Sequence, residues 1–261
     1  MTRGNPLPKR SLGQNFLQDQ GTARKIVSSL EAVSNVPVLE IGPGHGALTR
    51  WLVDTPAQIF ALEKDVWLAL AVKSQWPQVT VLAADAMRFA WERLGGPWSL
   101  IGNLPYNVAS PIIWDVTSRL PRLFQAVFMV QKEVADRLTA TPGNRVYGGL
   151  SAWVQSHVRI RRLFVVGPEV FRPRPKVDSA VIRLTPRPPE TNRPDGPALR
   201  QLLNTCFQQR RKQLKTILRP VWSDTIADWL HSQGLRPESR PEELSPPQFQ
   251  TLAAMLAASK S

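Results

Sequence analysis

The sequence predicts an α/β protein built on a mostly parallel sheet, with a small all-α region at the C-terminal end. Three observations predict it. Short apolar runs alternate with helix-length amphipathic stretches over about residues 20–130. Each of the first four runs stops at a glycine turn or a polar side chain, as strands do when they deliver residues to one edge of a sheet. Beyond about residue 198 the pattern is helical only.

Taken in order, residues 1–18 form a flexible basic segment with Arg3, Lys9 and Arg10, ending in the apolar anchor of Gly13-Gln-Asn-Phe-Leu17. Asp19 can cap a helix over about 20–33, with Ala23, Ile26, Val27 and Leu30 on one face. Val36 to Ile41 is a buried-type strand ending at Gly42-Pro-Gly-His-Gly46, and a helix follows over about 47–54. Ile59 to Leu62 is a second strand, ending at Glu63 before a helix through Leu68, Leu70 and Val72. Val79 to Leu82 leads to Asp85, and Leu100-Ile101 leads to Asn103. Pro111 to Val116 opens another helix, and Ala126 to Val130 is a fifth strand. Helices of this length between strands imply right-handed crossovers and parallel pairing.

After a helix near 147–157, the β-rich runs Val158–Val166 and Ser179–Leu184 suit an antiparallel hairpin on the sheet edge. Pro and polar residues from Thr185 to Pro197 read as a linker. Helices then follow over 198–218, which is basic and amphipathic, 223–233 and 246–258. The expected organisation is a segment 1–18 acting as a lid, a sheet domain 19–185, a linker 186–197 and a helical domain 198–261.

Charge narrows the partners. The net charge is +13 with a pI near 10.8, a field that favours polyanions, and arginine is the better fork for phosphate. Nucleic acid is the expected polyanion, because no stretch resembles a membrane-binding amphipathic helix. The single Cys206 excludes an internal disulfide and a cysteine-based metal cluster. No metal site is expected. Without an apolar span or a signal-like N-terminus, the expectation is a cytoplasmic protein.

The strand ends carry the chemistry. Gly42-Pro-Gly-His-Gly46 sits between a strand and a helix, where glycines let a ligand approach the backbone and free N–H groups await it. Glu63 stands where an acid accepts bonds from ribose hydroxyls, and Asp85 where one could accept from an adenine amino group. An adenosine-bearing cofactor is implied, either NAD or S-adenosylmethionine. The third glycine comes one residue early for the dinucleotide fingerprint. The fourth strand end favours the second, because Asn103-Leu-Pro-Tyr106 has no role in hydride transfer. There Leu104 is pushed to extended geometry by the proline that follows, and Pro105 fixes its own φ. A carboxamide, two carbonyls free of local donors and an aromatic ring are thereby gathered, suited to gripping a planar group that bears an NH2.

Four motifs together resemble the ribosomal RNA adenine N6,N6-dimethyltransferases: Gln14-Asn-Phe-Leu17, Leu39-Glu-Ile-Gly-Pro-Gly-His-Gly46, Asn103-Leu-Pro-Tyr106 and Phe171-Arg-Pro-Arg-Pro-Lys-Val-Asp-Ser179. The resemblance runs in order from about Lys9 to Leu256. It implies a Rossmann-like class I methyltransferase sheet of seven strands and S-adenosylmethionine as cofactor. Ser11-Leu-Gly-Gln-Asn15, the helix Cys206 to Leu214 and the run Arg240 to Phe249 resemble the branch that dimethylates two adjacent adenosines near the 3′ end of 16S RNA. The alternatives are the 23S-modifying branch linked to macrolide resistance, a non-catalytic RNA-binding assembly factor and a DNA adenine methyltransferase. Ala84, beside Asp85, departs from the glycine common among methyltransferases.

By that resemblance, Asn15 and Leu17 close over the methionine end of the cofactor, Gly42 and Gly44 contact its methionine and ribose, Glu63 holds the ribose and Asp85 the adenine amine. Asn103 also borders the cofactor, and its carbonyl with that of Leu104 accepts the hydrogens of the target amine, while Pro105 stiffens the corner. Tyr106 and Phe171 sandwich the flipped base. Arg172, Arg174 and Lys176 on the loop, and Arg210, Arg211, Lys212 and Lys215 on a C-terminal helix, meet phosphates. The expected partner is 16S rRNA in the immature 30S subunit, with the chain a monomer and no membrane involved.

Overall fold

The computed structural model describes residues 15–31, 34–187 and 196–259. Arg3, Lys9 and Arg10 of the N-terminal segment, and most of the linker, lie outside these described residues. Packing gathers the described residues up to Ala135, with Arg159–Pro186, into one compact unit. Asp136–Val158 and the described residues from Arg187 onward form a second unit. Linker composition marks a boundary near 186, whereas packing also assigns 136–158 to the helical unit, because the helix at 149–157 buries its apolar face against helices of that unit.

In the first unit the chain runs β1 (Phe16–Leu17), α1 (Gln20–Ser28), β2 (Val38–Ile41), α2 (Thr49–Leu52), β3 (Ile59–Glu63), α3 (Val66–Gln75), β4 (Thr80–Ala83), β5 (Trp98–Asn103), α4 (Ala109–Arg119) and β6 (Leu123–Gln131). Helices α5 (Lys132–Thr139) and α6 (Gly149–His157) precede β7 (Val158–Val166), β8 (Phe171–Arg172) and β9 (Ser179–Pro186). The seven-stranded sheet has the order β4-β3-β2-β5-β6-β9-β7. β2 pairs in parallel with β3 and β5, β3 with β4, and β5 with β6, while β9 is antiparallel to β6. The α/β expectation and its antiparallel edge therefore hold. Because β2 to β5 are parallel, their carboxyl ends lie along one edge.

Local chemistry explains the elements. All four residues of β2 are buried, as expected of a strand covered on both faces. Asp19 caps α1 by accepting from the Thr22 N–H at 2.6 Å, and Asp65 caps α3 through Trp67 and Leu68. α1 ends at Ser28, short of the expected 33, where the Ser28 and Ser29 hydroxyls donate back to the Lys25 carbonyl. α1 and α2 cover a core of Leu17, Ala23, Ile26, Val27, Leu48, Leu52 and the inward side chains of β2, β3, β5 and β6.

Gly102, in β5 beside Asn103, is a close-packing residue. A Cβ there would stand 2.5 Å from the backbone oxygen of Ile41 in β2. That oxygen belongs to a buried strand and cannot step aside without moving the sheet. Gly102→Ala is accordingly expected to cost about 1–3 kcal/mol, read as a lowered denaturation midpoint with unchanged m-value.

In the second unit, helices α6, α7 (Gly196–Gln208) and α10 (Pro246–Ala258) pack mutually, joined by α8 (Leu214–Ile217) and α9 (Asp224–Ser232). Phe207 sits 5.7 Å from Phe249 and meets Tyr147 edge-on. The single helix expected over 198–218 is two helices, because Arg210, Arg211 and Lys212 fall in the turn between them. Three adjacent cations are more stable splayed around a helix C-terminus, where carbonyls are unpaired, than stacked within a helix. Arg210 is drawn to Glu242 at 3.1 Å and to the Arg145 carbonyl at 2.6 Å.

Candidate active site

The edge formed by the ends of β2 to β5 holds two contiguous cavities. One, of about 160 Å³, is bordered by Leu62, Lys64, Asp85, Met87, Val108 and Ile112. The other is bordered by Asn15, Phe16, Gly44, Asn103, Leu104 and Tyr106. Gly42, Glu63 and Pro105 line both, so the pair reads as one groove with an apolar-walled end and a polar end. Asn15, Gly42, Gly44, Glu63, Asp85, Asn103, Leu104, Pro105 and Tyr106 thus come together as the sequence suggested.

The glycine turn is built for close approach. Gly42, Gly44 and Gly46 all have positive φ, at 68°, 56° and 77°, a region that side chains strongly disfavour. Gly44 has a second constraint, since a Cβ there would meet the Phe16 ring at 2.9 Å. Phe16 lies over the turn, with His45 at 4.3 Å between ring centroids, and burial holds His45 below its ordinary pKa.

Glu63 is almost fully buried at the end of β3. Its Oε2 accepts from the Gly44 N–H at 3.1 Å and its Oε1 from the Asp65 N–H at 2.9 Å. Burial pushes its carboxyl above the usual range, and those N–H bonds pull it partly back. Each oxygen keeps a lone pair for a further donor. Asp85 pairs with Lys64 at 2.9 Å and accepts from the Met87 N–H at 2.9 Å. Lys64 holds its carboxyl below the ordinary value, so it is ionised and able to accept from an amine.

One strand back, Glu40 is wholly buried and accepts from the Thr49 hydroxyl at 2.6 Å. Burial pushes its pKa up to about 7, with repulsion from Glu63 adding to the rise. A carboxyl raised in the folded state stabilises the fold below its unfolded pKa of about 4.5, and that contribution is lost as pH rises through about 7. Glu40→Gln mimics the protonated form. The difference in melting temperature between variant and wild type is expected to grow in the variant's favour from pH 4.5 to 7 and to level off above. A difference independent of pH would contradict it.

At the end of β5 the Asn103 carboxamide donates from Nδ2 to the Asn15 carbonyl at 2.9 Å, which leaves Oδ1 as an acceptor that no described residue occupies. The Leu104 carbonyl receives no hydrogen bond from the described residues, and the Leu104 side chain is buried beneath it. The Pro105 carbonyl, by contrast, is engaged. It accepts from Val108 and Ala109 at 3.1 and 3.0 Å and starts α4. Tyr106 is half-buried, with its hydroxyl 2.8 Å from the Oγ of the fully buried Ser179.

Two further readings need correction. Phe171 has 0% of its surface exposed and belongs to the core cluster, so no face of its ring is presented to the groove. Leu17 is likewise in the core rather than on the cavity wall. The cause is pairing: β1 and β8 form a two-stranded antiparallel ribbon matching Leu17 with Phe171 and Phe16 with Arg172, reinforced by the Gln18 N–H to the Val170 carbonyl at 2.8 Å. Side chains alternate across a strand, so Leu17 turns inward where Phe16 faces the groove. Phe171 and Leu17 anchor the β1–β8 ribbon, and Phe16 is the residue that sequence reasoning missed. The alternation was its only signal. Lys64 and Ser179 were also missed.

Arg172 at the end of β8, and Arg174 and Lys176 on the loop after it, are exposed, and Arg211, Lys212 and Lys215 are exposed in the second unit. Arg210 is occupied by Glu242 and Arg145, so it braces the turn rather than standing open to a phosphate. Among the described residues no cluster of His, Cys, Asp or Glu could hold a metal ion, and no helix is long and apolar enough to cross a membrane.

A mostly parallel seven-stranded sheet, a glycine turn, two acids on the following strand ends and Asn-Leu-Pro-Tyr on the fourth define an S-adenosylmethionine-dependent methyltransferase of the Rossmann-like class. Comparison with known proteins narrows the class. The profile of the family described as "Ribosomal RNA adenine dimethylase" matches residues 7–258. The chain is 51% identical over 262 residues to the ribosomal RNA small subunit methyltransferase A of Oleidesulfovibrio alaskensis, covering 98% of this chain and 93% of that one. It is similar in structure to a dimethyladenosine transferase from Plasmodium falciparum, with a TM-score of 0.77, 25% identity and coverage of 94% and 98%. It is also similar to the 23S rRNA methyltransferase ErmE, with a TM-score of 0.73, 28% identity and coverage of 93% and 100%. The chain belongs to the ribosomal RNA adenine dimethylase family.

Proposed function

We propose that the protein transfers methyl groups from S-adenosylmethionine to the N6 atoms of two adjacent adenosines near the 3′ end of 16S rRNA, acting as a monomer on the immature 30S subunit in the cytoplasm. The observation that carries this reading is the Asn103 corner. One acceptor is aimed by the Asn15 carbonyl, a second is left open on Leu104, and the Tyr106 ring stands beside them.

The groove fits the cofactor. Asp85 and the apolar walls of Leu62, Met87 and Ile112 suit an adenine, Glu63 the ribose hydroxyls, and the N–H groups of the glycine turn with Asn15 the methionine end. When bound, the cofactor supplies an electrophilic methyl on a sulfonium. An exocyclic adenine amine is a weak nucleophile because its lone pair is delocalised into the ring. Asn103 Oδ1 and the Leu104 carbonyl accept its two hydrogens, favour a pyramidal nitrogen and stabilise the positive charge that develops there. Tyr106 offers a stacking face to the extruded base, and Ser179 holds its hydroxyl. The product ammonium is acidic enough to lose its proton to water, so the chain needs no dedicated base.

The small-subunit reading is favoured over the 23S one because the relative named for the small subunit is 51% identical, against 28% for ErmE. Labelled methyl transfer to unmethylated 30S subunits, 50S subunits and duplex DNA tests this. Label is expected in the 30S arm alone, and label confined to 50S or DNA would overturn it.

A further inference from the structure

The basic residues assigned to RNA lie at the end of β8, on the loop after it and in the helical unit. Another cationic surface belongs to neither. On α1, Arg24 and Lys25 are both exposed. The Arg24 guanidinium carbon lies 5.5 Å from the centre of the Trp51 ring, and that of Arg50 lies 5.8 Å from the same ring. Lys25 Nζ stands 4.0 Å from the centre of the Phe164 ring on β7. Three cations from α1 and α2 are thus held over two aromatic rings.

None of the three has an acidic partner within ion-pair distance among the described residues, whereas some arginines of the same unit do. Arg119 pairs with Glu92 and Asp115, and Arg183 with Glu31. Stacking on a ring restrains the side chain without consuming the N–H donors at the guanidinium edge. A cation ordered in advance and left unneutralised is suited to an anion from outside.

We propose that the Arg24–Trp51–Arg50 platform with Lys25 over Phe164 is an additional contact surface for the ribose–phosphate backbone of the RNA substrate, read without regard to sequence. The proposal rests on the rRNA reading above. It gives the sheet unit a second contact surface for the RNA, in addition to the one carrying Arg174 and Lys176.

The test compares two double variants of equal charge loss. Arg24→Gln/Arg50→Gln removes the platform cations. Arg93→Gln/Arg122→Gln removes two exposed arginines elsewhere on the same unit. Equilibrium binding of each to unmethylated 30S subunits, 50S subunits and duplex DNA is measured across a KCl series, with S-adenosylmethionine affinity and melting temperature as controls. For the platform variant the slope of log K against log [KCl] on 30S is expected to become shallower by about 1.5. Its affinity is expected to fall about tenfold at 100 mM KCl, with the control double changing it less than threefold. A Trp51→Leu variant keeps both charges but loses the platform, and is expected to weaken binding with an unchanged salt slope. Equal losses in the platform and control doubles, or no loss in either, would overturn the proposal. Should wild type prefer 50S or DNA, the 16S reading falls, and the platform variant's salt slope on that preferred substrate then decides the platform separately.

Discussion

Asn103→Ala is expected to lower the rate of methyl transfer about 10²–10³-fold while changing S-adenosylmethionine affinity less than threefold. The substitution removes the acceptor at Oδ1, which matters only as charge develops on the amine, and removes the Nδ2 donor that meets the Asn15 carbonyl. Asn103→Asp separates these two roles. It keeps acceptor oxygens but sets a carboxylate against the Asn15 carbonyl, so it is expected to lose the aim of the acceptor and to loosen the segment from Asn15 to Leu17. Single-turnover transfer together with calorimetric cofactor titration reads both. Equal loss of rate and cofactor affinity in the alanine variant would assign Asn103 to binding instead of chemistry.

Glu63→Gln should act at the other end of the groove. Both carboxylate oxygens accept backbone N–H bonds, from Gly44 and Asp65, so an amide NH2 must face one of those donors. A charged acceptor for the ribose is lost together with the turn geometry. Bonds to a charged group contribute about 1.5–3 kcal/mol, so KM for S-adenosylmethionine is expected to rise about ten- to hundredfold with kcat little changed. Because burial raises the Glu63 carboxyl, wild-type cofactor affinity should weaken as pH falls through that raised value, as the protonated form loses acceptor capacity. The Gln variant should show a flatter profile. A kcat effect without a KM effect would contradict the ribose assignment.

Much of this was legible in the sequence because strand ends obey a simple rule. Apolar runs in β2 to β5 fix where each strand stops, and parallel pairing brings the stops to one edge, so Gly42, Glu63, Asp85 and Asn103 fall together. What was not legible depended on two-residue elements. The β1–β8 ribbon is too short to show periodicity, yet it decides that Phe16 faces the groove and that Leu17 and Phe171 face the core. The break after Gln208 depended on Glu242, which is distant in sequence.

The central claim is that the corner from Asn103 to Tyr106 dimethylates the amine of RNA adenosines. It is tested most directly by nucleoside mass spectrometry of 16S rRNA from unmethylated 30S subunits after reaction with the purified protein and S-adenosylmethionine, with the modified positions mapped by sequencing. N6,N6-dimethyladenosine is expected at two adjacent positions near the 3′ end, forming about 10²–10³-fold more slowly when Asn103→Ala replaces the wild type. Methylation at another atom, or at adenosines elsewhere in the RNA, would contradict it.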